Sequence, residues 1–184
     1  ILLVKGGQLF HGAAPSLPDS YTLALEGLPI AEGIGACGTA AFRKAPVVVE
    51  DVARSPLMQS YRELLLSHAL RACWSTPVIA ADGDVLATFA IYRDTPGPPR
   101  PADLDLIATA TRLARLALEA DRAKEALVNS EARFRELAEK VEDVFYNADI
   151  AEGGRMRYTS PGYEKIWGRS CDSLYAVPEL YLEA

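Results

Sequence analysis

The chain has 184 residues, with 25 Asp and Glu against 19 Lys and Arg, a net charge of -6, and an apolar share of 49%. That length and apolar content support one large domain, or one domain plus part of another, with real cores. The acidic balance and the lack of any Lys/Arg-rich run argue against a nucleic-acid surface, and no stretch approaches the roughly 18 uncharged apolar residues of a membrane span. The chain opens at Ile1 inside an apolar run and stops at Ala184 without a closing pattern, so it reads as a piece of a longer protein. Cys37, Cys73 and Cys171 are odd in number and form no CxxC pair. They are expected to be free thiols in a reducing compartment, the cytoplasm.

In chain order, 1–4 and 8–13 around Lys5-Gly6-Gly7 predict a β-hairpin. Asp19 or Ser20 is placed to cap a short helix ending at Gly27. The small residues from Ile34 lead into a helix at Cys37, and 46–51 is a β-branched strand. Ser55-Pro56 opens a helix over 57–69, and 72–79 with 85–92 form a second hairpin whose turn holds Asp82-Gly83. Strands and helices interleave around a largely antiparallel sheet, an α+β class.

The stretch from Ala102 to about Lys140 lacks Gly and Pro and follows the breaker-rich 95–101, which predicts one long helix. Leu106, Leu113, Ala120, Leu127, Phe134 and Val141 recur every seventh residue, beside a companion series of Thr109, Leu116, Ala123, Ser130, Leu137 and Val144. At 1.5 Å per residue such a helix runs about 60 Å. A heptad seam of that length calls for a partner, so a homodimer through this helix is expected. Its small and polar members make it weaker than a Leu/Ile zipper, which suits an element that changes register. Beyond it, 144–150 and 156–159 predict a hairpin turning over 151–155, and 161–167 a short helix stopped by Gly168.

The runs Gly33-Ile34-Gly35-Ala36-Cys37-Gly38-Thr39-Ala40-Ala41, Val48-Val49-Glu50-Asp51-Val52, Leu70-Arg71-Ala72-Cys73-Trp74-Ser75-Thr76-Pro77-Val78 and Gly83 to Tyr92 resemble a bacterial GAF domain. The resemblance implies a central antiparallel sheet flanked by helices, with a small-molecule pocket between one sheet face and the short helices. Two departures stand out: the family's leading helix does not precede Ile1, and Ala87 replaces a frequent Gly. Asn129 to Leu137, with Asp143-Val144-Phe145-Tyr146, Tyr158 to Ser170 and Leu174-Tyr175, resemble the opening of a PAS domain, less than half of one. The expected division is 1–100 for the GAF sensor, 101–142 for the closing and signalling helix, and 143–184 for the incomplete PAS part. So short a tail buries little and is expected to be loose or to lean on a neighbour.

In the GAF layout the pocket walls fall to Cys37, Thr39, Asp51, Tyr61, His68, Cys73, Trp74, Thr76, Phe89 and Tyr92. Aromatic walls with few polar groups suit a small ligand, and the helix start at Cys37 favours an anionic one. No cofactor is identified by these residues. The Gly-x-Cys-Gly-Thr-Ala pattern also resembles free methionine sulfoxide reductases, but their further cysteine and acidic motif are not matched, so both thiols are read as structural. His68 and His11 fit no zinc spacing. Gly33-x-Gly35-x-x-Gly38 spells a dinucleotide fingerprint outside any parallel βαβ unit, and reads instead as turn and helix-entry glycines. The expected function is sensory input for a bacterial signalling protein, without catalysis of its own, relaying to PAS and to an output such as a histidine kinase or, next, a diguanylate cyclase. The alternatives are a reductase of the kind just named and a purely structural dimerisation module.

Overall fold

The computed structural model describes residues 1–140, 143–149 and 155–176, apart from the side chain of Glu139. It separates into two compact units, Ile1–Asp121 and Arg122–Ala184. In the first unit, β1 (Leu2–Lys5) and β2 (Gln8–His11) form the opening hairpin, closed by Gly6 and Gly7 at positive φ. A two-residue turn with both φ values positive matches the strand twist, and two glycines adopt it without steric cost. Helix α1 (Asp19–Leu23) follows, then the short strand β3 (Leu28–Pro29), helix α2 (Gly35–Arg43) and strand β4 (Val47–Val49). A 3-10 turn at Pro56–Met58 and helix α3 (Arg62–Ser67) lead into the long strands β5 (Ala72–Ile79) and β6 (Val85–Arg93). Among the described residues the sheet has the order β3-β2-β1-β6-β5-β4, every neighbour antiparallel. The α+β architecture is the one expected.

Three local expectations are corrected. Pro18 rather than Asp19 or Ser20 occupies the N-cap of α1, with no side-chain cap bond, because Pro18 already holds the extended φ that the cap needs. The helix expected over 57–69 breaks into the 3-10 turn and α3. There Arg62 bonds the carbonyls of Val52 and Ser55 and ties the break to the preceding loop. Strand β3 was not foreseen, since its two residues carry no alternation to read.

The core gathers between the sheet and the short helices, with Leu2, Leu9, Tyr21, Val49, Val52, Met58, Leu65 and Cys73 among its buried members. Helix α2 buries seven consecutive residues, Gly35 to Ala41. Small side chains let the helix axis approach the sheet closely, and Gly38 sets that approach. A Cβ there would lie 2.6 Å from the Pro29 carbonyl oxygen and 3.0 Å from Ile34 Cβ. Gly38→Ala would gain about 1 kcal/mol in helix propensity, yet it is expected to destabilise the chain by about 1–3 kcal/mol through overpacking against the backbone. A lower urea midpoint would show this; a raised one would mean that β3 yields.

Helix α4 (Pro101–Lys140) is one unbroken 40-residue element. Within the first unit Ile107 is buried and Ala110, Ala114 and Leu118 are half-buried, a 3-4 spacing that places one face on the sheet. The heptad residues Leu106, Leu113, Leu116, Leu127, Phe134 and Leu137 are all exposed, while Val141 lies outside the described residues. At the helix start, Arg100 donates from its backbone N and from Nε to Asp103 Oδ2, each at 2.9 Å. The Arg100 guanidinium, with its backbone N–H, holds the Asp103 carboxyl down at about 2.

The second unit pairs β7 (Tyr146–Asp149) with β8 (Arg155–Thr159), followed by α5 (Gly162–Trp167), which Gly168 ends in the left-handed conformation, and α6 (Cys171–Ala176). Met156, Tyr163 and Leu174 form its small core. Buried Ser160 knits the hairpin to the preceding segment: its N–H donates to the Phe145 carbonyl, and its Oγ accepts from the Phe145 N–H. The expected turn over 151–155 lies outside the described residues except for Arg155.

Candidate functional site

Strand alternation divides the predicted wall. Cys73 and Ser75 on β5, with Tyr92, Ala90 and Thr88 on β6, lie on the α2 side of the sheet, while Trp74, Thr76 and Phe89 lie on the α4 side. Adjacent strand residues point to opposite faces, so the structure does not bring the expected wall residues into one pocket.

On the α2 side, Cys37, Tyr61, Cys73 and Tyr92 line a cavity of about 20 Å³ together with Tyr21, Leu25, Leu28, Met58 and Leu65. That volume holds roughly one or two water-sized molecules. The space is filled by this chain's own aromatic rings: Tyr21 meets Tyr92 edge-on at 5.5 Å and His68 at 5.7 Å. His68 sits at the C-terminal end of α3 and enters the site through Tyr21. Thr39 is fully buried, and its hydroxyl donates to the Gly35 carbonyl at 2.6 Å, so it is used up in the helix. Asp51 caps the turn after β4, accepting from the Ala53 N–H at 2.9 Å and facing Arg54 at 3.4 Å. It stands outside the cavity. Tyr21, Met58 and Leu65 were not foreseen; their only signal is apolar residues on short helical stretches.

The two thiols differ in character. The Cys73 thiol is the largest influence drawing the Cys37 thiol below its usual range against the cost of burial, with the hydroxyls of Ser75, Thr88 and Tyr92 assisting. Cys73 is pushed up, first by its bond to Cys37 and then by burial. Cys37 Sγ lies 4.0 Å from Tyr92 Oη. Burial raises the Tyr21 and Tyr92 phenols well above their usual range, so both remain neutral donors.

On the opposite face, Trp74 and Thr76 line a groove of about 580 Å³ with Leu104, Ile107 and Thr111 of α4. The Trp74 indole donates to the Gly97 carbonyl at 3.1 Å, and the Arg93 guanidinium stands 5.9 Å over its ring. A third compartment, about 480 Å³, is lined by His11, Ser16, Leu17, Thr22, Phe89 and Ile91 and shares Leu25 and Tyr92 with the small cavity. Among the described residues no group of three or more His, Cys, Asp or Glu is arranged to hold a metal, and no helix is long and apolar enough to cross a membrane.

Comparisons with known proteins bear on the family and the fold. Over 139 residues, 76% of its length, the chain is 36% identical to the methyl sulfide methyltransferase-associated sensor of Methanosarcina acetivorans, of which it spans only 14%. Its fold is similar to a domain attributed to a two-component sensor histidine kinase protein of Sinorhizobium meliloti 1021, with a TM-score of 0.55 and 21% identity over 68% of this chain and 80% of that one. It is also similar to a free methionine-R-sulfoxide reductase of Neisseria meningitidis in complex with its substrate, at a TM-score of 0.51 and 20% identity over 67% of each chain. Residues 2–118 match the GAF domain family, with the sheet, the closing helix and the cavity in one continuous segment, and the chain belongs to that family.

Proposed function

We propose that the chain is the sensory input of a bacterial-type signalling protein, in which a small molecule on the α2 side biases the packing of paired α4 helices. The observation that carries this reading is Tyr92. It forms a shared wall of the 20 Å³ cavity and the 480 Å³ compartment, and its strand ends at Arg93, a short connection before α4 begins at Pro101. A ligand that turns the Tyr92 ring joins the two spaces into a volume suited to a small molecule, and the displaced strand end is carried into α4. Only a difference in affinity between the two helix packings shifts their populations.

The identity to a sensor runs over 139 residues, longer than the GAF segment itself, which supports reading α4 as part of the same device. The second unit is proposed as the start of a PAS domain, and the output as a histidine kinase. A reductase is disfavoured, because the further cysteine and acidic motif of those enzymes are not matched in this sequence.

Native mass spectrometry of the chain isolated from cells tests the reading: a dimer carrying a defined extra mass is expected, and a bare monomer would sink it. Leu113→Glu with Leu127→Glu replaces two exposed apolar side chains. At about 1.5–3 kcal/mol per buried leucine, the double variant is expected to weaken the dimer on the order of 100-fold or more. The fold should be untouched, since both positions face outward. Sedimentation equilibrium reads the first effect and circular dichroism the second.

A further inference from the structure

We infer that Cys37 and Cys73 form an oxidisable dithiol pair, whose co-reactant is hydrogen peroxide or an equally small hydroperoxide. The pair gives the domain a chemical input of its own at the small cavity that the ligand reading above also uses.

Four observations converge. Cys37 and Cys73 line the same cavity of about 20 Å³, which has room for roughly one or two waters. Both residues are buried and both thiols are free, one in the first turn of α2 and the other facing it from β5. The hydroxyls of Ser75 and Thr88, 1% and 0% exposed, have no hydrogen-bond partner in the structure, and the Cys37 sulfur is the acceptor they lie toward. Buried hydroxyls without partners are costly, and both stand on the sheet face that carries Cys73. Finally, the Cys73 thiol is the largest influence holding the Cys37 thiol below its usual range while Cys73 itself is pushed up, so of the two Cys37 is the one that ionises first. A thiolate is the nucleophile in thiol oxidation.

The chemistry balances. The Cys37 thiolate attacks one peroxide oxygen: an S–O bond forms, the O–O bond breaks, and the departing hydroxide takes up a proton as water. Cys37 is oxidised to the sulfenic acid while peroxide is reduced. The Cys73 sulfur then displaces hydroxide from the Cys37 sulfur; an S–S bond forms, the S–O bond breaks, and the Cys73 proton leaves with the hydroxide as a second water. Two thiols and one peroxide give one disulfide and two waters, and the product ties the start of α2 to β5.

The reduced chain, treated with hydrogen peroxide, unfolded in alkylating agent and digested for mass spectrometry, provides the test. The expected product is a Cys37–Cys73 linked peptide lacking two hydrogens. Cys171, whose thiol burial and Glu164 push up, serves as the internal reference and should react at least ~10-fold more slowly. Cys73→Ser should let Cys37 accumulate as a sulfenic acid that dimedone traps, while Cys37→Ser and Cys37→Ala should both leave Cys73 reduced. Oxidation of Cys37 no faster than Cys171 would overturn the inference. So would a Cys37 sulfenic acid that persists in the unsubstituted chain without linking to Cys73. Either failure leaves the ligand-sensing reading standing, because this readout is taken on ligand-free chain and does not depend on dimerisation.

Discussion

Tyr21→Ala is expected to lower the stability of the first unit by about 3–5 kcal/mol, the range for removing a large buried aromatic. Tyr21 is fully buried, and its ring packs edge-on against both His68 and Tyr92. It joins α1, the end of α3 and β6 at one point. A loss of that size is a large share of the roughly 5–15 kcal/mol that holds a domain together. Tyr21→Phe keeps the ring contacts and is expected to cost about 1 kcal/mol, the worth of a single polar interaction. Urea unfolding followed by Trp74 fluorescence, with Trp167 replaced by Phe so that only the first unit is observed, measures both variants. An Ala variant within about 1 kcal/mol of the parent would mean that neighbouring side chains collapse into the space, and that Tyr21 does not hold the cavity shut.

Trp74→Ala is expected to cost a similar ~3–5 kcal/mol, with a second consequence on the connection into α4. Gly97 is held from two sides: its N–H donates to the Glu50 carbonyl at 2.8 Å, and its carbonyl accepts from the Trp74 indole at 3.1 Å. These bonds fix the segment between β6 and α4 against the sheet. Trp74→Phe retains most of the apolar contact and removes the donor, at about 1 kcal/mol. In both variants the Gly97 amide should exchange faster with solvent, and the Ala variant should show the larger effect. Far-UV circular dichroism gives the unfolding midpoint and amide exchange gives the local opening. If Gly97 exchange were unchanged in both, the Glu50 bond alone would anchor the connection, and Trp74 would serve only as core.

These two aromatic residues stand on opposite faces of one sheet, and both bear on how a change in the first unit reaches α4. Tyr21 keeps Tyr92 in place on the ligand side, while Trp74 holds the peptide that links β6 to the helix. In the proposed reading the relay from pocket to helix runs through β6 itself. Its residues alternate between the cavity and the α4 side, so a shift of the strand is felt on both faces.

Much of the architecture was legible in local pattern. The Gly6-Gly7 turn, the hairpin around Asp82-Gly83, the breaker-free run of α4 and the stop at Gly168 are each dictated by residues within a few positions of one another, and the structure follows them. The glycine fingerprint also resolved as read: Gly33 takes positive φ in the turn and Gly35 at the helix entry, and Gly38 allows close packing. The division of the pocket wall was available from parity alone, since Cys73 and Trp74, as neighbours on a strand, cannot face the same cavity. What local pattern does not carry is how distant elements meet. The closing of the cavity by Tyr21, the use of the Thr39 hydroxyl within its own helix, and the meeting of Cys37 with Cys73 beside two unpartnered hydroxyls all depend on how closely α2 lies on the sheet. That distance is set by Gly38 against the Pro29 carbonyl, a contact between elements whose periodicities are independent, and so only the tertiary structure decided it.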